Sequence, residues 1–447
     1  MTDVEVEIAD GVLVGRREAG IDRFLGIPYA APPVGPLRWR PAAPPVAWAG
    51  RRDAAVFGPD SLQPPFEGWG RSRATRADED CLYLNVWSPP GATAAPVLIV
   101  IHGGGFQLVS GAHPAFDGAV LAASGVVVVT FNYRLGLLGF AGGSHWLTDQ
   151  IAALRWVRSH IARFGGDPGN VTIAGASAGG VSVNALNIAP SARGLFRQAI
   201  SISGGGDNLF ARPPHPPIPD RSAYGEPPVY DTAFASGAGE YAAVDGALIP
   251  AFPSEALRAG RSNAGRLIFA FSDFEASMLD QMGTPPEAMA AAMRDLAPEA
   301  ERRPVEPDGY ALYSHCGFRR PALDLADAAS AAGLDVRVLD YGFVPTAGRA
   351  RLRGAAHGAA LYDILGTTDP LHDELGLVRA AGDEAFLGGL RRRILGLLTS
   401  ADPASAAQWP RYRVGEATAL RIDAAGDARI GHVRGLQDLA ALAHPDT

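Results

Sequence analysis

Lysine is absent from the 447-residue sequence, so arginine supplies every strongly basic side chain. This absence excludes enzymes that form a lysine Schiff base, phosphate-binding loops that rely on lysine, and Ser-x-x-Lys nucleophiles. The formal net charge is −8, which leaves no basic footprint of the kind that binds nucleic acids or anionic membranes. We therefore expect no nucleic-acid partner.

Cysteine is also scarce, since the chain has only Cys81 and Cys316, far apart in sequence. This number excludes a disulfide framework, and neither cysteine has metal-site spacing. The ten histidines include no His-x-x-x-His pair, so we expect no metal and no cofactor. The first residues lack the basic and apolar regions of a signal peptide, and no apolar run is long enough to span a bilayer. We therefore expect a cytoplasmic protein.

Two nearly continuous apolar runs, at 96–104 and 125–134, have the length of strands buried on both faces. Helical patterns alternate with such runs, which favours an α/β fold with a large, mainly parallel sheet and helices on both faces. One of these helices is expected to begin with a cap at Thr148 or Asp149.

The alternating segment VEVEIADGVLVGRRE, close to the first residue, predicts an antiparallel N-terminal part of the sheet. We interpret residues 1–447 as a single catalytic domain. The segment 206–240 is rich in proline and glycine and has no periodicity. Loops of that length are commonly lids or pocket walls, and we expect this role for 206–240 and also for 278–318.

The stretch VTIAGASAGG places Ser177 between two glycines, where a strand ends and a helix begins. In a Gly-x-Ser-x-Gly turn of this kind, the serine lies at the tip of a sharp elbow, at the carboxyl edge of the sheet. A five-residue match is weak evidence on its own. The strand before it and the helix after it favour a nucleophilic serine.

A nucleophilic serine needs donors for the oxyanion that forms when it attacks a carbonyl group. The segment VIHGGGF follows a buried strand, and its glycine amides can face a ligand without obstruction by side chains. We expect the amides of Gly104 and Gly105, together with that of Ala178, to bind the oxyanion.

Several motifs occur in an order that covers nearly the whole chain: FLGIPYAAPPVGPLRWRPA, EDCLYLNVW, VIHGGGF, FNYRLGLLGF, DQIAALRWVRSHIARFGGDPGNVTIAGASAGG, GLFRQAISISG and GAAHGAALYDILG. In these motifs the chain resembles the type-B carboxylesterases. That branch of the α/β-hydrolase fold includes bacterial p-nitrobenzyl esterases, liver carboxylesterases and cholinesterases. The resemblance implies the same fold and a serine-dependent hydrolysis.

Carried over by position, the resemblance implies that Ser177 is the nucleophile and His357 the general base. Glu275 matches the family's acidic triad member, and the order Ser, Glu, His agrees with the fold. The resemblance further implies a supporting role for Ser203 beside the glutamate. The resemblance implies the same oxyanion donors, the amides of Gly104, Gly105 and Ala178.

The sequence departs from the family pattern around the nucleophile and the acid. Ala176 stands where most members have a glutamate beside the serine. Phe274 and Ala276 replace an aspartate and a glycine around Glu275, which leaves Asp273 as a rival acid. We favour Glu275.

Other candidates have structural interpretations. His102 precedes the glycine loop, and we expect it to brace that loop. The acidic cluster 78–80 is expected to form an ion pair with Arg38 or Arg40. Cys81 matches a disulfide cysteine of secreted relatives but lacks the nearby partner, so a free thiol is expected.

These observations predict a serine carboxylic-ester hydrolase that acts through an acyl-enzyme on small to medium apolar esters. The alternatives are cleavage of amide, carbamate or thioester bonds by the same triad, and a catalytically silent binding homologue. Phe106 and Trp146 are candidates for an apolar substrate wall. The sequence gives no prediction of the oligomeric state.

Overall fold

The protein is built around a sheet of 13 strands. The computed structural model describes residues 2–64, 71–211, 242–293, 309–399, 409–435 and 438. Within these residues the strands are β1 (Thr2–Ile8), β2 (Gly11–Glu18), β3 (Ile21–Pro28), β4 (Arg51–Asp53), β5 (Asp60–Ser61), β6 (Ala77–Asp78), β7 (Tyr83–Ser88), β8 (Ala95–Ile101), β9 (Val127–Phe131), β10 (Gly166–Ala176), β11 (Gln198–Ile202), β12 (Phe210–Ala211), β13 (Ala242–Ala243), β14 (Arg266–Ser272), β15 (Asp335–Tyr341), β16 (Thr418–Ile422) and β17 (Ala428–His432).

The strand order along the sheet is β1-β2-β3-β7-β9-β8-β10-β11-β14-β15-β16-β17, with β4 paired to β2. Neighbours from β9 to β16 are parallel. The chain enters this parallel region through antiparallel pairs among β1, β2, β3, β7 and β9. The predicted large, mainly parallel sheet with an antiparallel N-terminal part is confirmed.

Helices connect the parallel strands, because the chain must cross back over the sheet before it begins the next parallel strand. They are α1 (Ala119–Ala123), α2 (Gly136–Phe140), α3 (His145–His160), α4 (Ala178–Ile188), α5 (Pro253–Arg258), α6 (Ser277–Gln281), α7 (Pro286–Met293), α8 (Gly309–Tyr313), α9 (Arg320–Ala331), α10 (Ala359–Leu365), α11 (Pro370–Glu374) and α12 (Ala381–Thr399). Short 3-10 turns lie at Gly35–Leu37, Pro114–Phe116, Ile161–Phe164, Pro190–Ala192, Asp207–Leu209 and Thr346–Gly348, and a π-helical turn occupies Ser314–Arg319.

Two hydrophobic cores lie on opposite faces of the sheet, because successive side chains of a strand alternate between faces. On β8, Ile99 joins one core, whereas Leu98 and Val100 join the other. The first core packs against α3, α4 and α9, and the second packs against α1, α10 and α12. The helices therefore cover both faces, as the continuous apolar strands predict.

Helix α3 begins earlier than expected. It starts at His145, so Thr148 and Asp149 lie inside the helix and do not cap it. The Asp149 carboxylate instead accepts hydrogen bonds from Arg134, at 2.8 Å from Nε and 2.6 Å from Nη2. Burial of this ion pair explains why an acid occupies the second turn, and the prediction of a cap there is wrong.

The ion pair expected for the acidic cluster is formed by Arg38 and Glu79, with two hydrogen bonds of 2.6 and 2.7 Å. Cys81 and Cys316 are both buried, and neither forms a disulfide bond. Burial raises the pKa of the Cys81 thiol to about 12. The free thiol expected at Cys81 is thus present.

Of the segment 206–240, the structure describes 206–211, and the rest lies outside the described residues, which resume at 242. Of 278–318, the structure describes 278–293 and 309–318. Among all described residues, no helix is both long enough and apolar enough to cross a membrane.

Candidate active site

Ser177 occupies the turn between β10, which ends at Ala176, and α4, which begins at Ala178. Its backbone has φ 58° and ψ −126°, a conformation that residues other than glycine rarely adopt. The Ser177 N–H donates to Ile202 O at 3.0 Å, which ties the turn to β11. Ser177 lines a pocket of about 780 Å³, as the predicted elbow requires.

Both glycines of the elbow are needed because strand and helix approach each other closely. A Cβ atom at Gly175 would lie 2.4 Å from Gly179 O, and one at Gly179 would lie 2.1 Å from Ile101 O. Neither contact is compatible with a side chain. The pentapeptide around Ser177 therefore reflects the packing of β8, β10 and α4.

His357 and Glu275 come from different loops and meet beside the same pocket. His357 Nδ1 lies 2.6 Å from Glu275 Oε2, and the Glu275 side chain is fully buried. Glu275 follows β14 closely, and its Oε1 accepts a hydrogen bond of 2.7 Å from Ser272 N. A carboxylate held in this way fixes the orientation and the tautomer of an imidazole.

Ser203 directly follows β11, which ends at Ile202. Its Oγ donates to Glu275 Oε1 at 2.8 Å and accepts from Gly358 N at 3.2 Å. One hydroxyl group therefore contacts both the acid and the loop that carries His357.

Two residues that the sequence analysis missed also position His357. Ser277 Oγ accepts a hydrogen bond of 2.9 Å from His357 N. The Phe318 ring packs edge-on against the imidazole, with 4.8 Å between centroids. The sequence signals were weak, because Ser277 begins a five-residue helix and Phe318 lies in the π-helical turn.

The rival acid, Asp273, has other partners. Its carboxylate accepts hydrogen bonds from Ala355 N at 2.6 Å and from Arg434 Nη1 at 2.9 Å. Burial raises the pKa of Asp273 to about 6, although the nearby Arg434 and Arg319 guanidinium groups oppose this effect. The structure thus places Glu275 against the imidazole and Asp273 against the backbone that leads to His357.

The glycine loop after β8 forms one wall of the pocket. Gly104 and Gly105 have φ values of 93° and 61°, and both line the pocket with Ser177. A Cβ atom at Gly104 would lie 2.2 Å from Leu108 O, which excludes a side chain there. Ala178 begins α4 directly after the serine, so its amide belongs to the free N–H groups of the first turn.

His102 braces this loop, as expected. Its Nδ1 lies 3.0 Å from Gly103 O, and its ring stacks on Tyr133 with 4.4 Å between centroids. Tyr133 Oη donates to His102 O at 2.9 Å. Burial lowers the pKa of His102 to about 4, so this imidazole is neutral at physiological pH.

A model of the Carboxylesterase family matches residues 2–217. The structure is similar over almost its full length to a carboxylesterase of Geobacillus stearothermophilus, with 30% identity and a TM-score of 0.81. That similarity covers 98% of this chain and 99% of the other. The chain belongs to the carboxylesterase family. The predicted α/β-hydrolase fold is confirmed by the same similarity.

Curated members of the carboxylesterase family match over a shorter stretch. The chain is 49% identical over 211 residues to the fumonisin B1 esterase of Sphingopyxis macrogoltabida, which covers 44% of this chain and 38% of that protein. It is 45% identical over 216 residues to the para-nitrobenzyl esterase of Bacillus subtilis (strain 168), which covers 46% and 44%. These matches span about two fifths of the relatives' length.

In this member of the carboxylesterase family, Phe106 and Trp146 do not line the pocket. Both are buried in the core, and their ring centroids lie 4.9 Å apart. Phe106 has φ 60° at the end of the glycine loop and packs also against Phe140, with 5.3 Å between centroids. The prediction that these two residues form an apolar substrate wall is therefore wrong. They pack in the core beneath the glycine loop and do not contact the pocket.

Other apolar residues line the pocket instead. They come from the segment after the glycine loop, from α6 and the residue that follows it, and from the region after His357: Leu108, Val109, Phe116, Met278, Met282, Tyr362 and Leu371. Ala176, next to the elbow serine, also lines the pocket. Their positions depend on how three distant segments converge, which no local sequence pattern reveals.

Charged residues on the pocket wall were also missed by the sequence analysis. Among the described lining residues, three are carboxylates, Asp60, Asp369 and Glu374, and one is a guanidinium, Arg71. No group of three or more His, Cys, Asp or Glu side chains within the described part of the chain has an arrangement suited to a metal ion.

Proposed function

We propose that this member of the carboxylesterase family hydrolyses carboxylic esters of small to medium apolar acids and alcohols. The observation that carries the proposal is the convergence of Ser177 and His357 on one pocket, with Glu275 Oε2 2.6 Å from His357 Nδ1. A pocket of about 780 Å³ has the size of a small-molecule site.

In the proposed reaction, Ser177 Oγ attacks the ester carbonyl carbon while the free ring nitrogen of His357 takes the hydroxyl proton. The carbonyl π electrons move to oxygen and form a tetrahedral oxyanion. As the oxyanion collapses, the bond to the alkoxy group breaks and His357 returns the proton to the departing alcohol. Glu275 stabilises the imidazolium throughout.

The oxyanion would accept hydrogen bonds from the amides of Gly104, Gly105 and Ala178. The position of both glycines on the wall beside Ser177 supports this role. Water then attacks the acyl-enzyme, His357 again accepts a proton, and the acid and free Ser177 are released. The reaction needs neither a metal nor a cofactor.

The test is covalent labelling by a fluorophosphonate followed by hydrolysis of a panel of chromogenic esters, amides, carbamates and thioesters. We expect labelling at Ser177 and the highest kcat/KM for esters. Ser177→Ala and His357→Ala should each lower kcat by about four to six orders of magnitude, as when a triad loses one member. Preferred cleavage of another bond would reassign the substrate, and no labelling together with no turnover would favour a silent binding homologue.

We further propose that residues 1–447 act as one catalytic domain and that 278–318 supplies a pocket wall. The continuous sheet from β1 to β17 supports the first statement. Met278 and Met282 on the pocket, and Phe318 against His357, support the second. Deletion of part of this wall should change ester preference without abolishing fluorophosphonate labelling.

A small-molecule ester substrate and a cytoplasmic location complete the proposal. The absence of a disulfide bond between Cys81 and Cys316 fits a reducing compartment. The net charge of −8 fits the absence of a nucleic-acid partner. Cell fractionation tests the location, and recovery of the protein outside the cytoplasm would contradict it.

A further inference from the structure

Asp369 is a buried carboxylate on the wall of the pocket that contains Ser177 and His357. It caps α11, where its Oδ1 accepts a hydrogen bond of 2.9 Å from Leu371 N. Only 3% of the residue is exposed, yet its Oδ2 has no hydrogen-bond partner among the described residues. Capping uses one carboxylate oxygen and leaves the other without a function in the fold.

Among the residues that the structure describes, no cationic side chain forms an ion pair with the Asp369 carboxylate. The nearby guanidinium of Arg379 binds the carboxylate of Asp363 and the backbone oxygen of Thr367. Burial raises the pKa of Asp369 to about 7, and Arg379 offsets this effect only in part. Buried charges normally have a partner, so an exception on a pocket wall points to a ligand.

The rest of this wall favours a positively charged ligand group. Asp60 and Glu374 add two carboxylates to the same pocket, against the single guanidinium of Arg71 among its described lining residues. The rings of Phe116 and Tyr362 also line it, with 5.9 Å between centroids. Aromatic faces stabilise cations as well as apolar groups.

We propose that Asp369 forms an ammonium-binding subsite, and that the preferred esters carry a protonated amine that donates to Asp369 Oδ2. This inference rests on the ester hydrolysis proposed above, because it specifies the substrate of the same pocket. An ammonium group supplies both the missing donor and the missing positive charge. Hydrogen bonds between charged groups are the stronger kind, so the subsite selects charge over a neutral hydroxyl group.

The first test compares esters of equal chain length whose far end is an ammonium, a methyl or a hydroxyl group, placed on either the acyl or the alcohol side. We expect Asp369→Asn to lower the ammonium-to-methyl ratio of kcat/KM by about tenfold to a hundredfold, as loss of one charged hydrogen bond predicts. Asparagine retains the cap of α11. The matched control is Asp373→Asn, which removes the exposed carboxylate of the same helix and should leave the ratio unchanged.

An unchanged ratio in Asp369→Asn would overturn the subsite. An equal loss for the hydroxyl ester would overturn its selectivity for charge. The second test needs neither a variant nor turnover: calorimetric titration of the wild-type protein with hexylammonium and with 1-hexanol. We expect at least tenfold tighter binding of hexylammonium, and equal or weaker binding would overturn the proposal. Absence of turnover on every ester, with hexylammonium still bound more tightly, would reject ester hydrolysis and retain the subsite.

Discussion

Ser203 Oγ donates a hydrogen bond of 2.8 Å to Glu275 Oε1, the carboxylate oxygen that His357 does not contact. The same hydroxyl oxygen accepts from Gly358 N, the residue after the imidazole. The Ser203 hydroxyl group therefore links Glu275 to the backbone beside His357, although it takes no part in the proposed reaction. We propose that Ser203 acts as a positioning residue.

We predict that Ser203→Ala lowers kcat about tenfold, the effect of one lost buried hydrogen bond. Without this hydrogen-bond donor, the Glu275 carboxylate interacts more strongly with the His357 imidazolium. The acid limb of the kcat/KM profile should therefore move to higher pH. Ser201→Ala is the matched control. Ser201 lies two residues before Ser203, and its Oγ donates a buried hydrogen bond of 3.1 Å to Gly180 O, away from Glu275. A limb that stays in place would assign Ser203 a purely structural role.

The variants Glu275→Gln and Asp273→Asn should distinguish the roles of the two acids. We expect Glu275→Gln to lower kcat by about three to four orders of magnitude, because an amide does not hold the imidazole in the reactive tautomer. Asp273→Asn should mainly lower the free energy of unfolding, by about 1–3 kcal/mol, because it weakens the contact with Arg434. Steady-state kinetics and denaturant unfolding measure the two effects. An Asp273→Asn enzyme as inactive as Glu275→Gln would reverse the assignment.

Gly179→Ala should prevent correct packing of the elbow. Its methyl group would lie 2.1 Å from Ile101 O, so either β8 or α4 must move. We expect a loss of unfolding free energy of about 1–3 kcal/mol or more and a large loss of fluorophosphonate labelling. Gly388→Ala is the control within α12, where the nearest atom would lie 3.5 Å away. It should stabilise the helix by about 0.5–1 kcal/mol.

Asp369→Asn should stabilise the protein at pH 8 but not at pH 4. Burial raises the pKa of Asp369 from 3.8 to about 7, so the folded protein binds an additional proton between these values. Stability from this group therefore falls as pH rises through that window, and the cost is fully present above it. Asparagine removes the cost, which we expect to be about 1–3 kcal/mol.

Thermal unfolding at the two pH values measures this difference, with the exposed Asp280→Asn as control. An equal gain at both pH values would show that the ionised carboxylate carries no penalty. Together with the ester series, a gain at pH 8 would mean that the wild-type chain retains a stability cost in order to bind its substrate.

Local patterns predicted the parts of the site that depend on backbone geometry. The Gly-x-Ser-x-Gly match was weak evidence by itself, and the buried strand before it and the helix after it made Ser177 the predicted nucleophile. The choice between Asp273 and Glu275 was different, because both acids follow β14 and only the fold separates their partners. Family resemblance favoured Glu275, and the contact with His357 agrees with it.

The pocket wall was much less predictable. Phe106 was a candidate for the apolar substrate wall, but it packs into the core with a φ of 60°. Asp369 was not among the residues predicted for the site, and the structure shows that it caps α11. Its second role depends on the convergence of β5, α6 and α11 around one cavity, and sequence spacing carries no information about that convergence.

Both cysteines of the chain are buried, and the chain has no lysine. One cysteine introduced at the exposed Gln281, on the rim of the pocket, would thus be an accessible thiol without native competitors. A fluorophore or spin label attached there would report directly on substrate entry. The composition of this protein makes it a ready scaffold for single-site spectroscopy.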